Sequence, residues 1–320
     1  MTRRTAFTDL VGCEHPIQLA GMGGLSTVDL AAAVSAAGGL GMVAFPTAGP
    51  ADLATTLTMM AADLGRPFGV TFIMPFLDPA CVPVAARLAE VIEFSFGPPS
   101  ADLVTAGHDG QAVVGWQVGT AVQAVAAVEA GVDFVIAQGT EAGGHQVAEQ
   151  PMLEALGSIV RAVDVPVVAA GGIATGDDVR AALAAGADAV RVGTRFASAL
   201  EADIHPDYAK AMIRSSAADT EITLAFDVLW PDTPHRVLSA SVAAALDLEQ
   251  DTVGQLAGDP PRAIPTRSPL PASGSFVGNV AATAMYAGTA VEHVTDRLPA
   301  SAIFEELLAG VGGPAPHLAR

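Results

Sequence analysis

The sequence predicts an α/β fold, a (β/α)8 TIM barrel with a C-terminal lid or cap segment. Three observations predict it. A helix, glycine, strand grammar recurs in AAAVSAAGGLGMVAF, VQAVAAVEAGVDFVIAQ and VRAALAAGADAVRVG. The strand halves are unbroken apolar runs, as expected where both faces of a parallel sheet are covered. Eight such runs fit before residue 203, and parallel neighbours must be joined by crossovers, each long enough here for a helix.

In chain order, strands are expected near 17–20, 40–45, 68–73, 90–95, 112–116, 132–137, 166–170 and 187–192. Gly38, Gly131 and Gly186 fall where a helix commonly ends in a left-handed residue, which glycine adopts at little cost because it has no Cβ. An open doubly wound sheet is the alternative topology. It would normally show GxGxxG after its first strand, and Gly21, Met22, Gly23 and Gly24 do not supply that spacing. The uncharged stretch between Asp29 and Asp52 is interrupted by Gly38, Gly39, Gly41 and Pro46, so it reads as helix, turn and buried strand, not as a membrane span. After about residue 203 the grammar changes, and GDPPRAIPTRSPLPASG is a proline-rich surface connection. The expected division is a barrel over 1–202, a lid over 203–275, and C-terminal helices over 276–320 that pack back on the barrel.

Charge narrows the function classes. With 34 acidic against 15 basic residues the formal charge is −19, and Lys210 is the only lysine. No nucleic acid is expected as partner, since binding a polyanion needs a basic stripe, and acidic carrier proteins are disfavoured by the same field. Cys13 and Cys81 form no CxxC and give no metal spacing, so they read as incidental thiols of a reducing compartment. No metal is expected. The N-terminus lacks an apolar signal region, which with the rest implies a cytoplasmic protein with no membrane partner.

In a barrel the chemistry lies just after each apolar run. Behind the first strand, Ala20, Gly21 and Met22 offer small residues and bare backbone to a flat ring, with the Met22 thioether able to pack on it; an ordinary turn with a core methionine reads equally well. Behind the sixth strand comes QGTEAGGHQ, in which Gly143 and Gly144 let the loop thread beside a ligand and His145 can exchange a proton near neutral pH. The other six histidines have no comparable setting. Behind the seventh and eighth strands, Gly171, Gly172, Gly193 and Thr194 would turn backbone N–H groups toward one anion, at the habitual phosphate site of this fold. Such a site needs little help from lysine. Trp230, His235, Arg236 and Tyr286 could reach the pocket, or could simply be core.

These residues resemble the nitronate monooxygenase family. The resemblance rests on PIQLAGMGGLSTVDLAAAVSAAGGLGMVA, FGVTFIMP, the EAGGH loop, PVVAAGGIATGDDV, ADAVRVGTRF, IHPDYAKAMI and MYAGTAV, and runs over most of the chain. It implies a barrel that binds FMN, with Ala20, Gly21 and Met22 flanking the isoalloxazine and Gln117 and Gln138 at strand ends that contact it. Gly143 and Gly144 would line the ring or ribityl chain, Gly171, Gly172, Gly193 and Thr194 would hold the phosphate, and His145 matches the family's catalytic histidine. Thr71 stands where many members carry asparagine near the flavin, and Gln146, Val147 and Ala148 depart from the usual continuation of the histidine loop. The implied reaction is oxidation of alkyl nitronates, or of nitroalkanes, by O2 to a carbonyl compound and nitrite. The expected partners are therefore a small-molecule substrate and O2, with a homodimer left open. Two alternatives stand beside it: an NAD(P)H-dependent flavin reductase of quinones or enoyl thioesters on the same scaffold, and a non-redox barrel that binds a phosphorylated ligand.

Overall fold

The computed structural model describes residues 4–45 and 48–311. Pro46, His317 and the end of the expected tail, 312–320, lie outside the described residues. The apolar runs form eight parallel strands, Ile17–Leu19, Gly41–Val43, Phe68–Ile73, Val91–Ser95, Val113–Val118, Phe134–Gln138, Val167–Ala170 and Ala189–Val192. All begin and end within two residues of the expected limits. From the second strand on, each pairs with the next in the chain, and the last pairs with the first. The ring closes through a single bridge between Gln18 and Leu40, where Leu19 N–H donates to the Leu40 carbonyl at 2.9 Å and Leu40 N–H to that of Ile17 at 3.0 Å. The fold is therefore the barrel and not the open sheet.

The local signals explain why the helices begin and end where they do. Thr27, Thr120 and Thr175 accept the N–H groups of Leu30, Gln123 and Asp178, capping the helices Val28–Ala36, Ala121–Glu129 and Gly176–Ala184. Gly38, Gly131 and Gly186 follow these helices with φ of +91°, +98° and +106°, a conformation that costs other L-residues about 1–2 kcal/mol. Among the described residues no helix is long and apolar enough to cross a membrane.

The segment after residue 203 builds two small sheets over one end of the barrel. Thr220–Thr223 and His235–Leu238 form an antiparallel pair, and the latter also pairs with Gly144–His145 of the histidine loop. In the second sheet Thr252–Leu256 lies between Arg262–Pro265 and Phe276–Gly278. The tail departs from the helical expectation. Phe276–Gly278 is a strand of the lid sheet, 3-10 turns come next, and among the described tail residues only Ala300–Leu308 is α-helical. Alanine-rich composition favours helix only weakly. Here the backbone is claimed by other partners: Leu238 N–H donates to the Met285 carbonyl at 2.9 Å, and Tyr286 bridges Val237. The one helix packs on Val28–Ala36 and Gly176–Ala184.

Candidate active site

The strand ends under the lid surround one cavity of about 390 Å³. It brings together Ala20, Gly21, Met22, Gln117, Gln138, Gly143, Gly144, His145, Gly171, Gly172, Gly193 and Thr194. Thr71 is the exception. Its side chain points into the barrel beneath the floor, where its hydroxyl donates to Glu93 Oε1 at 2.6 Å, and a Cβ on Gly21 would overlap that hydroxyl. Thr71 therefore supports the floor and does not line it. The lid contributes Leu229, Trp230, Arg262–Pro265 and Pro269–Pro271, and the tail contributes Tyr286.

His145 sits in an aromatic cage. Its ring stacks on Trp230, with centroids 3.9 Å apart and 17° between planes, and meets Phe96 edge-on at 5.9 Å and Tyr286 at 5.5 Å. Phe96 holds its place in a left-handed backbone conformation, φ +67°, unusual for a bulky residue and a sign of local strain beside the site. Burial in this cage, reinforced by neighbouring His235, pushes the imidazolium down to about 3, so the ring is neutral at ordinary pH. Its Nε2 is buried without a protein partner. His235, by contrast, has both nitrogens engaged: Nδ1 with the Thr233 carbonyl at 2.9 Å and Nε2 with Phe226 N–H at 3.2 Å. It anchors the lid hairpin to the histidine loop and has no free nitrogen for proton transfer. Arg236 does the same through the Thr140 carbonyl, at 2.9 Å.

The loop that carries His145 is held from two sides. Gln138 Nε2 donates to the His145 carbonyl at 3.0 Å and its Oε1 accepts from Val147 N–H at 2.7 Å. Gly143 lies against Gly288, where a Cβ would collide with backbone, and Thr289 N–H donates to the Glu141 carbonyl at 3.0 Å. The segment MYAGTAV thus works as a buttress. Tyr286 ties it to the lid by donating to the Pro269 carbonyl at 2.6 Å.

The two glycine turns form another wall. Gly171 and Gly172 have φ of +118° and +70°, with a Cβ at the latter 3.1 Å from Glu141 Cβ. Gly193 is different. Its φ is negative, and an added Cβ would come no nearer than 3.5 Å to any protein atom. Nothing within the protein requires glycine there, and the residue faces the cavity. The Thr194 hydroxyl accepts from Gly288 N–H at 3.0 Å, which leaves its own O–H free to donate.

Sequence reasoning missed the floor. Arg191 and Glu93 form a buried ion pair, their side chains 4% and 0% exposed, and Arg191 lines the cavity. The available signal was a lone charge inside each of two apolar runs, VIEFS and AVRV. Arg191 Nη1 also donates to Gln117 Oε1 at 3.2 Å, and Gln18 Nε2 donates to Glu93 Oε2 at 3.0 Å. Among the described residues no carboxylate lines the cavity, despite the chain's charge of −19.

Comparison with known proteins agrees with this geometry. A model of the nitronate monooxygenase family matches residues 4–81 and 78–310. The chain is 34% identical over 248 residues to the (3aS,4S,5R,7aS)-5-hydroxy-7a-methyl-1-oxo-octahydro-1H-indene-4-carboxyl-CoA dehydrogenase of Rhodococcus jostii, covering 77% of this chain and 69% of that one. It is 34% identical over 277 residues to a nitronate monooxygenase of Pseudomonas aeruginosa, covering 68% and 76%. Among solved structures it is similar to FabK from Thermotoga maritima, with TM-score 0.79, 31% identity and 96% of both chains covered. The nitroalkane oxidase of Streptomyces ansochromogenes gives TM-score 0.79 and 30% identity, covering 96% and 98%. With the barrel, the histidine loop and the paired glycine turns in place, the chain belongs to the nitronate monooxygenase family, a family of flavin-using oxidoreductases.

Proposed function

We propose that this protein uses FMN to oxidise alkyl nitronates with O2, giving a carbonyl compound and nitrite. One observation carries the reading: two buried polar atoms without protein partners, His145 Nε2 and Gln117 Nε2, belong to residues lining a single cavity that the glycine turns also wall. Buried polar atoms are normally satisfied, so the pair fits a polar planar ligand. Gly193, whose Cβ would meet the protein only in ordinary contact with Ala20 at 3.5 Å and Met22 at 3.8 Å, fits close approach of a phosphate to backbone. Gly171, Gly172, Gly193 and Thr194 would hold that phosphate, Ala20, Gly21 and Met22 would flank the ring, and Gln117 and Gln138 would stand at its polar edge. FMN bound there would supply the redox chemistry between the nitronate and O2.

The chain's own part is to bind and orient the substrate. Neutral His145 can donate or accept at Nε2. Because burial makes the imidazolium costly, that nitrogen is a weak acceptor for the α-proton of a neutral nitroalkane, and the site favours a nitronate that is already ionised. A carboxylate-free lining does not repel such an anion. Trp230, Phe96 and Tyr286 keep bulk water from the histidine.

Anaerobic reduction tests the reading. Nitronate is expected to bleach the visible flavin absorbance, with NADH and NADPH inert. Bleaching by NAD(P)H alone would favour a thioester or quinone reductase, a second reading supported by the CoA-dehydrogenase relative and by Arg262, a cavity-lining arginine without an ion pair among the described residues. A colourless protein that takes up no FMN would leave the non-redox reading. Gly193→Val provides a binding test: FMN affinity is expected to fall about 10- to 100-fold through crowding on the ligand side, with the melting temperature nearly unchanged. An equal loss of stability would place the role of Gly193 in folding.

A further inference from the structure

Gln117 ends in a carboxamide, whose oxygen accepts and whose nitrogen donates, so its use depends on which way it faces. Its oxygen is fixed from two sides. Arg191 Nη1 donates to Oε1 at 3.2 Å and Ser95 Oγ donates to the same atom at 3.3 Å. The arginine N–H could not serve an NH2 group, so the assignment of O and N is settled by chemistry. Nε2 is consequently turned away from both, buried and without a protein partner, in a residue that lines the cavity.

Arg191 is itself immobilised. Its Nη2 pairs with Glu93 Oε1, and Glu93 is held by the Thr71 hydroxyl at 2.6 Å and by Gln18 Nε2 at 3.0 Å. Four barrel strands besides that of Gln117 thus supply groups to a relay that leaves the Gln117 NH2 group without a protein partner at the cavity. A buried ionic network of this kind is weak evidence for stability but can fix one conformation among several.

We infer that Arg191 and Ser95 are positioning residues, which with Glu93 and Thr71 behind them fix the Gln117 carboxamide as a hydrogen-bond donor toward the acceptor edge of the bound ring. The inference rests on the FMN reading. It predicts that the effects of Ser95 and Arg191 on binding pass through Gln117.

A double-mutant cycle on FMN affinity, with the spectrum of bound FMN as second readout, tests this. Gln117→Leu is expected to weaken FMN by about tenfold, the loss of one buried hydrogen bond, and to shift the visible band. Ser95→Ala is expected to weaken it by about threefold in the wild-type background and not at all in Gln117→Leu. The neutral pair Arg191→Met with Glu93→Gln, which strands no buried charge, is expected to behave in the same way. If Ser95→Ala costs as much in both backgrounds, or leaves affinity and spectrum unchanged in the wild type, the relay is overturned while the FMN reading stands. If the wild-type protein takes up no FMN, it is the reading itself that fails.

Discussion

Replacing His145 with asparagine is expected to leave a yellow protein whose nitronate turnover is lower by about 10- to 100-fold, the scale of losing one buried hydrogen bond to an ionised substrate. The ring lies on the cavity wall and presents an unpartnered Nε2, so the change removes contact with substrate. Backbone support for the loop comes from Gln138 and the lid strand and survives the change. Unchanged turnover would remove His145 from the chemistry, and loss of flavin would make its role structural.

The same variant has a pH signature in stability. The imidazole takes up its proton near 6.5 when unfolded but near 3 in the fold, because burial and then His235 oppose the charge. Between those values the unfolded chain binds more protons, so this group makes stability rise with pH. Its contribution is complete above about 6.5 and is lost as pH falls toward 3, at a limiting slope of about 1.4 kcal/mol per pH unit. Subtracting the Asn variant's stability curve from the wild type's is expected to leave that slope, carboxylate titrations being common to both. A flat difference would mean that the imidazole is charged or solvated in the fold.

Arg191→Met is expected to destabilise the fold by about 3–5 kcal/mol, the usual cost of stranding one member of a buried ion pair. Glu93 is fully buried and would retain only Gln18 and Thr71, neither of which carries compensating charge. Adding Glu93→Gln is expected to restore a large part of the loss, since a neutral amide strands no charge, its oxygen can accept from Thr71, and its NH2 can donate to the unpartnered Gln18 Oε1 once that carboxamide turns over. Denaturant midpoints of the single and double variants decide the matter. A single variant as stable as the double would show that the pair is solvated or that the floor rearranges freely.

The barrel was legible because its signals are local and repeated. Threonine caps, left-handed glycines and doubly buried apolar runs each act within a few residues, and they placed all eight strands. The rim was legible for the same reason: small residues and one histidine come directly after apolar runs, and the barrel delivers the C-terminal end of every run to one face. Thr71 was misjudged because its strand neighbours gave no sense of depth. Lying mid-strand, it points to a layer below the rim and stabilises Glu93 instead of lining the cavity. The alanine-rich stretch 280–287 has helical composition, yet the backbone there pairs with the lid and buttresses the histidine loop.

By itself the sequence determined the eight barrel strands, where the helices beside Gly38, Gly131 and Gly186 end, the closure of a parallel barrel, and the residue types collected at its mouth, because these depend on periodicity, backbone preference and the constraint on parallel connections. Only the tertiary structure decided the cage of Trp230, Phe96 and Tyr286 around His145, its depressed basicity, and the Gln18, Glu93, Thr71, Arg191 and Gln117 relay. Those depend on which side chains from distant strands share a depth in the barrel and on how completely the lid removes water. Desolvation and long-range pairing are properties of assembled neighbours, and no single segment of the chain carries them.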